Sequence, residues 1–198
     1  SDLISCATFR EGKIPSYSGI VSGHSSFSKG KIALIIHGQL IDNGTEVPAK
    51  YIKNQYVKYW VQATEKAYKD QHILYTIYSA ENKEIQPIDT GLISEVNIIV
   101  EKDYNLVLGF LSFLTLTFVP LRESFIINIS TTIHDKSGTI LKTYKRSEEV
   151  VTWNQLFMIF VMPFTGMHEF RDEGDVFSEI YYDANVDIIK EACRDGVY

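Results

Sequence analysis

Between residues 121 and 133 apolar and polar positions alternate with a period of two. Phe125, Ile127, Ile129, Thr131 and Ile133 fall on one face of a strand, and Ser124, Ile126, Asn128, Ser130 and Thr132 on the other. Asp135-Lys136-Ser137-Gly138 follows as a four-residue loop, with glycine where a positive φ is expected, and the chain returns through TILKTYKRSEEVV. The pattern predicts a β-hairpin whose second strand continues through Val150–Trp153. Two apolar runs flank it, Leu106–Val119 and Leu156–Phe164. Each is shorter than the roughly 20 residues a membrane-crossing helix needs, and each is too apolar for an exposed loop. They either pack on one another beside the sheet or form a shared hydrophobic surface for a membrane or partner, with Phe110, Phe113, Phe118, Phe157, Phe160 and Phe164 as its contacts.

The rest of the chain supplies strands and helices in a definite order. Residues 31–38, KIALIIHG, read as a short, central, continuously apolar strand, and Asp42-Asn43-Gly44-Thr45 as a turn. From Pro48 to about Asp70, Ile52, Tyr56, Trp60, Ala63 and Ala67 recur at helical spacing. Residues 72–79 and 92–101 read as further strands, so 31–79 forms a strand–helix–strand unit. Phe177, Ile180, Tyr181, Ala184, Ile188 and Ala192 give a last helix over 176–194, with Asp175 as its expected N-cap and Gly196 as its stop. The order β-α-β-β-β-β-α predicts an α+β domain: a largely antiparallel sheet of about five to six strands with two long helices packed on it.

Composition narrows the function classes. The formal net charge of −6, with no basic block, argues against nucleic-acid binding. Cys6 and Cys193 lie near opposite ends, with no CxxC or His/Cys cluster to suggest zinc. Gly23-His24-Ser25-Ser26 lacks the strand-to-helix elbow of a serine nucleophile. Glu148 and Glu149 adjoin on a strand and point to opposite faces, so they cannot form a dyad. His168, Glu169, Asp172 and Glu173 match no metal motif. The expectation is therefore a non-enzymatic protein without cofactor or metal. Gly, Ser, Lys and Pro dominate up to residue 30, so 1–30 reads as an anchor region and flexible tether, and 31–198 as a single domain.

Leu3-Ile4-Ser5-Cys6 has the form of a lipobox: aliphatic, small or aliphatic, small, cysteine. The chain here resembles bacterial lipoproteins, in which a peptidase cuts before the cysteine and its sulfur receives a diacyl lipid. The Phe113–Pro120 stretch, FLTLTFVP, together with the Asp135–Gly138 turn, resembles a segment of uncharacterised bacterial cell-envelope lipoproteins. The resemblance implies a signal peptide, an acyl (palmitate-type) anchor on Cys6 and a place in the cell envelope, at the outer membrane. It further implies a binding or assembly module that docks an envelope protein. The alternative is a carrier that holds an apolar ligand between sheet and helices. A homodimer joined through the apolar runs is a third expectation.

Overall fold

A computed structural model of the chain describes residues 5–17, 31–52, 54–79, 91–115, 121–155 and 173–198. Its strands are β1 (Ser5–Arg10), β2 (Ile32–Asp42), β3 (Thr45–Glu46), β4 (Tyr75–Ser79), β5 (Leu92–Tyr104), β6 (Leu121–Asp135) and β7 (Ile140–Gln155). Its helices are α1 (Asn54–Asp70), α2 (Leu106–Leu114) and α3 (Glu173–Arg194), with a 3-10 turn at Ala49–Tyr51. The fold is α+β, with a mostly antiparallel seven-stranded sheet in the order β1-β7-β6-β5-β2-β3, and β4 also on β2. β2 runs parallel to both β4 and β5 and is central, as its unbroken apolar run predicts.

The hairpin forms as the alternation requires. β6 and β7 pair from Leu121↔Asn154 to His134↔Ile140, with one irregularity between Ile133 and His134. Gly138 closes the turn at φ +82°, and Asp135 caps it by accepting from the backbone N–H groups of Ser137 (2.8 Å) and Thr139 (2.9 Å). Phe125, Ile127, Ile129, Thr131 and Ile133 are all buried, beneath α1 and α3. Phe177 meets Phe125 edge-on with centroids 5.0 Å apart. Trp60 of α1 lies flat against Gly38, where a Cβ would come 1.9 Å from the indole ring. Only glycine lets α1 approach β2 this closely. The space between sheet and helices is thus filled by the chain's own side chains, Tyr68, Phe125, Phe177, Tyr181 and Ile127 being fully buried.

Several expectations change. The sheet has seven strands rather than five or six, because β1 and β3 were not visible as strands in the pattern. The described residues hold a third, short helix: within the Leu106–Val119 run Leu106–Leu114 is α2, and residues 116–119 lie outside the described residues. Of the expected tether over 1–30, residues 1–4 and 18–30 lie outside the described residues, and the described part packs on the domain. Ser5–Arg10 pairs with Val150–Gln155 at the sheet edge, and Ile14 is buried in the core. Asp175 stands inside the first turn of α3 rather than before it. Cys193 is half-buried on α3 and carries no disulfide. Asp195, two residues on in the chain, bonds Lys142 at the opposite end of β7 from the residue that pairs with Cys6.

Candidate functional site

One end of the sheet gathers the features that the sequence singled out. Cys6 pairs with Asn154, and Asn154 with Leu121, so the three form one row across β1, β7 and β6. With neighbouring strands about 4.8 Å apart, the Cα atoms of Cys6 and Leu121 stand about 10 Å apart. β5 ends in the same region, Tyr104 facing Glu123, and α2 begins two residues later. Asn105 starts α2 by accepting from the N–H groups of Val107 (3.0 Å) and Leu108 (3.2 Å), an N-cap.

The polarity of α2 is inverted. Ser112 is 4% exposed, and Gly109 faces Leu121, from whose Cδ1 a Cβ would be 3.8 Å away. Among the described side chains the large apolar ones point outward: Val107 is 69% exposed and Phe110 62%, with Leu106, Leu111 and Leu114 exposed as well. The helix carries no charged residue. An isolated exposed leucine is ordinary; here these exposed apolar side chains share one nine-residue helix without a charge.

A clasp of polar groups holds β1 at this position. Gly12 adopts φ +77°, which turns three successive backbone N–H groups toward one carboxylate. Gly12 (2.6 Å) and Lys13 (3.1 Å) donate to Oε1 of Glu148 and Ile14 (2.7 Å) to Oε2. This is an anion-binding nest filled from within. Glu148 is fully buried. Arg10 lies beside it, with Nε 3.6 Å from Oε2, and donates to Asp183 (2.6 Å) and to the carbonyl of Ile14 (2.7 Å). The N–H of Tyr17 donates to the other oxygen of Asp183 at 2.8 Å.

Glu179, which also meets Arg10 at 3.5 Å, begins an acidic row that recurs every fourth residue through Asp183, Asp187 and Glu191 on α3 to Asp195 just past its end. Arg146 donates to Asp187 (2.6 Å) and Glu191. Lys142 (2.6 Å) and Tyr144 (3.0 Å) donate to Asp195. The Lys142 hydrogen bond, followed by that of Tyr144, holds the Asp195 carboxyl below its ordinary range. Tyr17 donates to Asp187 at 2.5 Å, and burial with this bond pushes its phenol up to about 12. The row therefore joins α3 to β1 and β7 and is engaged within the chain.

Two further clusters lie elsewhere. Tyr68, Ser94 and Tyr198 close a buried ring of hydroxyls at 2.7, 2.9 and 2.8 Å. On the other face of the sheet, His37 and His134 approach the two oxygens of Glu95 at 3.4 and 3.6 Å. No group of three or more His, Cys, Asp or Glu that could hold a metal ion occurs among the described residues.

Of the predicted site residues, Cys6 lies in β1 at the sheet edge and Phe110 on the exposed side of α2. Phe113 belongs to α2, with its side chain outside the described part, and Phe118, Phe157, Phe160 and Phe164 lie outside the described residues. Glu148 faces the core while Glu149 is only half-buried, as their adjacency on a strand requires. Its role as a receptor for residues 12–14 was not legible, because those donors lie far away in sequence. The acidic row on α3 did leave a signal, the four-residue spacing of its carboxylates.

No family model matches the chain, and no curated protein matches it in sequence. Among solved structures it is similar to a neuraminyllactose-binding hemagglutinin homolog from Helicobacter pylori, at 9% identity over 84% of this chain and 85% of that one, with a TM-score of 0.43. It is also similar to a minor lipoprotein from Acinetobacter baumannii, at 9% identity, 86% and 96% coverage and a TM-score of 0.38. A third is PelC from Paraburkholderia phytofirmans, at 9% identity, 92% and 95% coverage and a TM-score of 0.35. At such scores and identities none of the three bears on what this chain does.

Proposed function

We propose that this chain is a non-enzymatic, lipid-anchored module of a bacterial cell envelope, attached at the outer membrane through Cys6, whose domain docks an envelope protein. The observation that carries this reading is the place of Cys6, the last residue of the Leu3–Cys6 motif. Cys6 stands at the start of an edge strand, at one end of the sheet, so an acyl group there would leave the rest of the domain projecting away from the bilayer. The described helices include none long and apolar enough to cross a membrane, so attachment would rest on the lipid. The surface offered to a protein partner is the sheet face turned away from α1 and α3. There Phe9 and Ile126 are exposed among half-buried Ile99, Val151 and Trp153. The buried carboxylates Glu148 and Asp183 are occupied by partners within the chain, which supports a structural use for them over a catalytic one.

The test is expression of the full gene in a bacterial host fed a labelled fatty acid, comparing wild type with Cys6→Ser. Label that follows the wild-type protein into the membrane fraction, with an unlabelled and soluble variant, supports the reading. Absence of label from both proteins overturns it.

A further inference from the structure

We infer that α2 is a second membrane contact: its outward face of Leu106, Val107, Phe110, Leu111 and Leu114 rests in the lipid interface and fixes the orientation of the domain. The inference rests on the attachment through Cys6. Because Ser5 and Cys6 already belong to β1, almost no flexible chain separates the acylated residue from the sheet. A domain without a tether cannot stand off from the surface that holds it. The exposed groups nearest the anchor meet lipid first: α2 packs on Leu121 in the same row as Cys6, whereas the exposed turn at Asn43–Thr45 on the same end lies two strands farther along the sheet, beyond β5.

The chemistry of the helix fits that occupant. Nine residues at 1.5 Å each give a cylinder about 13 Å long, enough to lie in the plane of the interface and too short to cross it. It has no charge to desolvate. Gly109 and Ser112 are turned to the protein while Leu106, Val107, Phe110, Leu111 and Leu114 are exposed, whereas a helix that covers a core turns its large apolar side chains inward. Acyl chains require apolar area without matched hydrogen bonds, and α2 presents that. The net charge of −6 supplies no electrostatic attraction to an anionic bilayer, so the contact is an apolar one that follows anchoring rather than a substitute for it.

The test removes acylation from the question. A Cys6→Ser/Phe110→Trp protein is held through an N-terminal histidine tag on vesicles of phosphatidylethanolamine and phosphatidylglycerol containing a nickel-chelating lipid and a bromine-labelled phospholipid. The native Trp60 is buried and Trp153 half-buried, so the protein with Phe110 retained supplies the background. The inference predicts a blue shift of the added tryptophan, strong quenching by the brominated chains, and loss of both with Val107→Asp, while circular dichroism stays unchanged. Emission that the vesicles do not alter overturns it. So does a blue shift that arises with protein concentration in the absence of lipid, which assigns the face to a second copy, or one already present in dilute lipid-free protein, which assigns it to a segment of the same chain. Failure of fatty-acid labelling with success here would reject the Cys6 anchor and keep the lipid contact of α2. The reverse outcome would keep the anchor and reject the contact.

Discussion

At the residue scale, the fold depends on a carboxylate that replaces solvent for a turn of backbone. Glu148 is fully buried and receives three backbone N–H groups from residues 12–14, beside the Arg10 guanidinium. Burying a charge is costly unless it is paired and hydrogen-bonded on all sides. Here the requirement is met by drawing the N-terminal strand onto the sheet. Glu148→Gln keeps the shape but puts an NH2 group where an acceptor stood, so donor faces donor and Arg10 loses a neighbouring charge. The expected loss is about 3–5 kcal/mol, read as a lower urea midpoint at unchanged slope. Hydrogen exchange at Gly12 and Ile14 should rise with it. A loss confined to the range of surface substitutions would mean that β1 is held by its ladder to β7 alone.

At the element scale, β6 and α2 show two uses of apolar sequence. β6 places its hydrophobic residues, Ile126 apart, at every second position on one face, and that face is the core. Ile127→Ala should lower stability by about 2–5 kcal/mol, as truncation of a buried isoleucine does. Ile126→Ala, on the other face and 41% exposed, should cost no more than about 0.5 kcal/mol. Comparable losses at both positions, measured by urea unfolding, would show that the outer sheet face is also covered. α2 is more apolar than β6, and yet none of its described large side chains belongs to the core. Periodicity could not separate these outcomes, because an uninterrupted apolar run has no polar face to fix its direction. The tertiary fit decides it: Gly109 faces Leu121, Ser112 is buried, and Leu106, Val107, Phe110, Leu111 and Leu114 are left exposed.

For the whole molecule, tyrosine ties the layers together and sets the alkaline limit of stability. Tyr17 bridges the N-terminal segment to α3, Tyr144 joins β7 to α3, and Tyr182 joins α3 to Asp70 of α1. Burial, followed by the neighbouring carboxylate, pushes Tyr17 and Tyr182 up to about 12 and Tyr144 higher still. Burial also raises Tyr68 and Tyr198. In the unfolded chain all of these titrate near about 10. Below that pH both states hold the proton and the contribution is constant. Between about pH 10 and 12 the unfolded chain releases protons that the folded chain keeps, so stability falls as pH rises. Phenolate absorbance should therefore rise in two steps, exposed tyrosines first and these later, together with the loss of circular dichroism. A single transition near the ordinary tyrosine value with the fold intact would contradict the packing described.

The sequence alone determined the β6–β7 hairpin, its turn, the inward row of β6, the two long helices and their core stripes. Each of these is local, since side-chain period and turn chemistry are set by residues a few positions apart. It also pointed to Cys6 and Phe110. Only the tertiary structure decided that Ser5–Arg10 is an edge strand, that Glu148 holds residues 12–14, and that the acidic row on α3 is answered by Arg10, Arg146 and Lys142. It likewise decided that the outward side of α2 is its apolar one and that α2 shares an end of the sheet with Cys6. These are pairings across most of the chain's length, and no spacing in the sequence encodes which distant groups will meet once the sheet has formed.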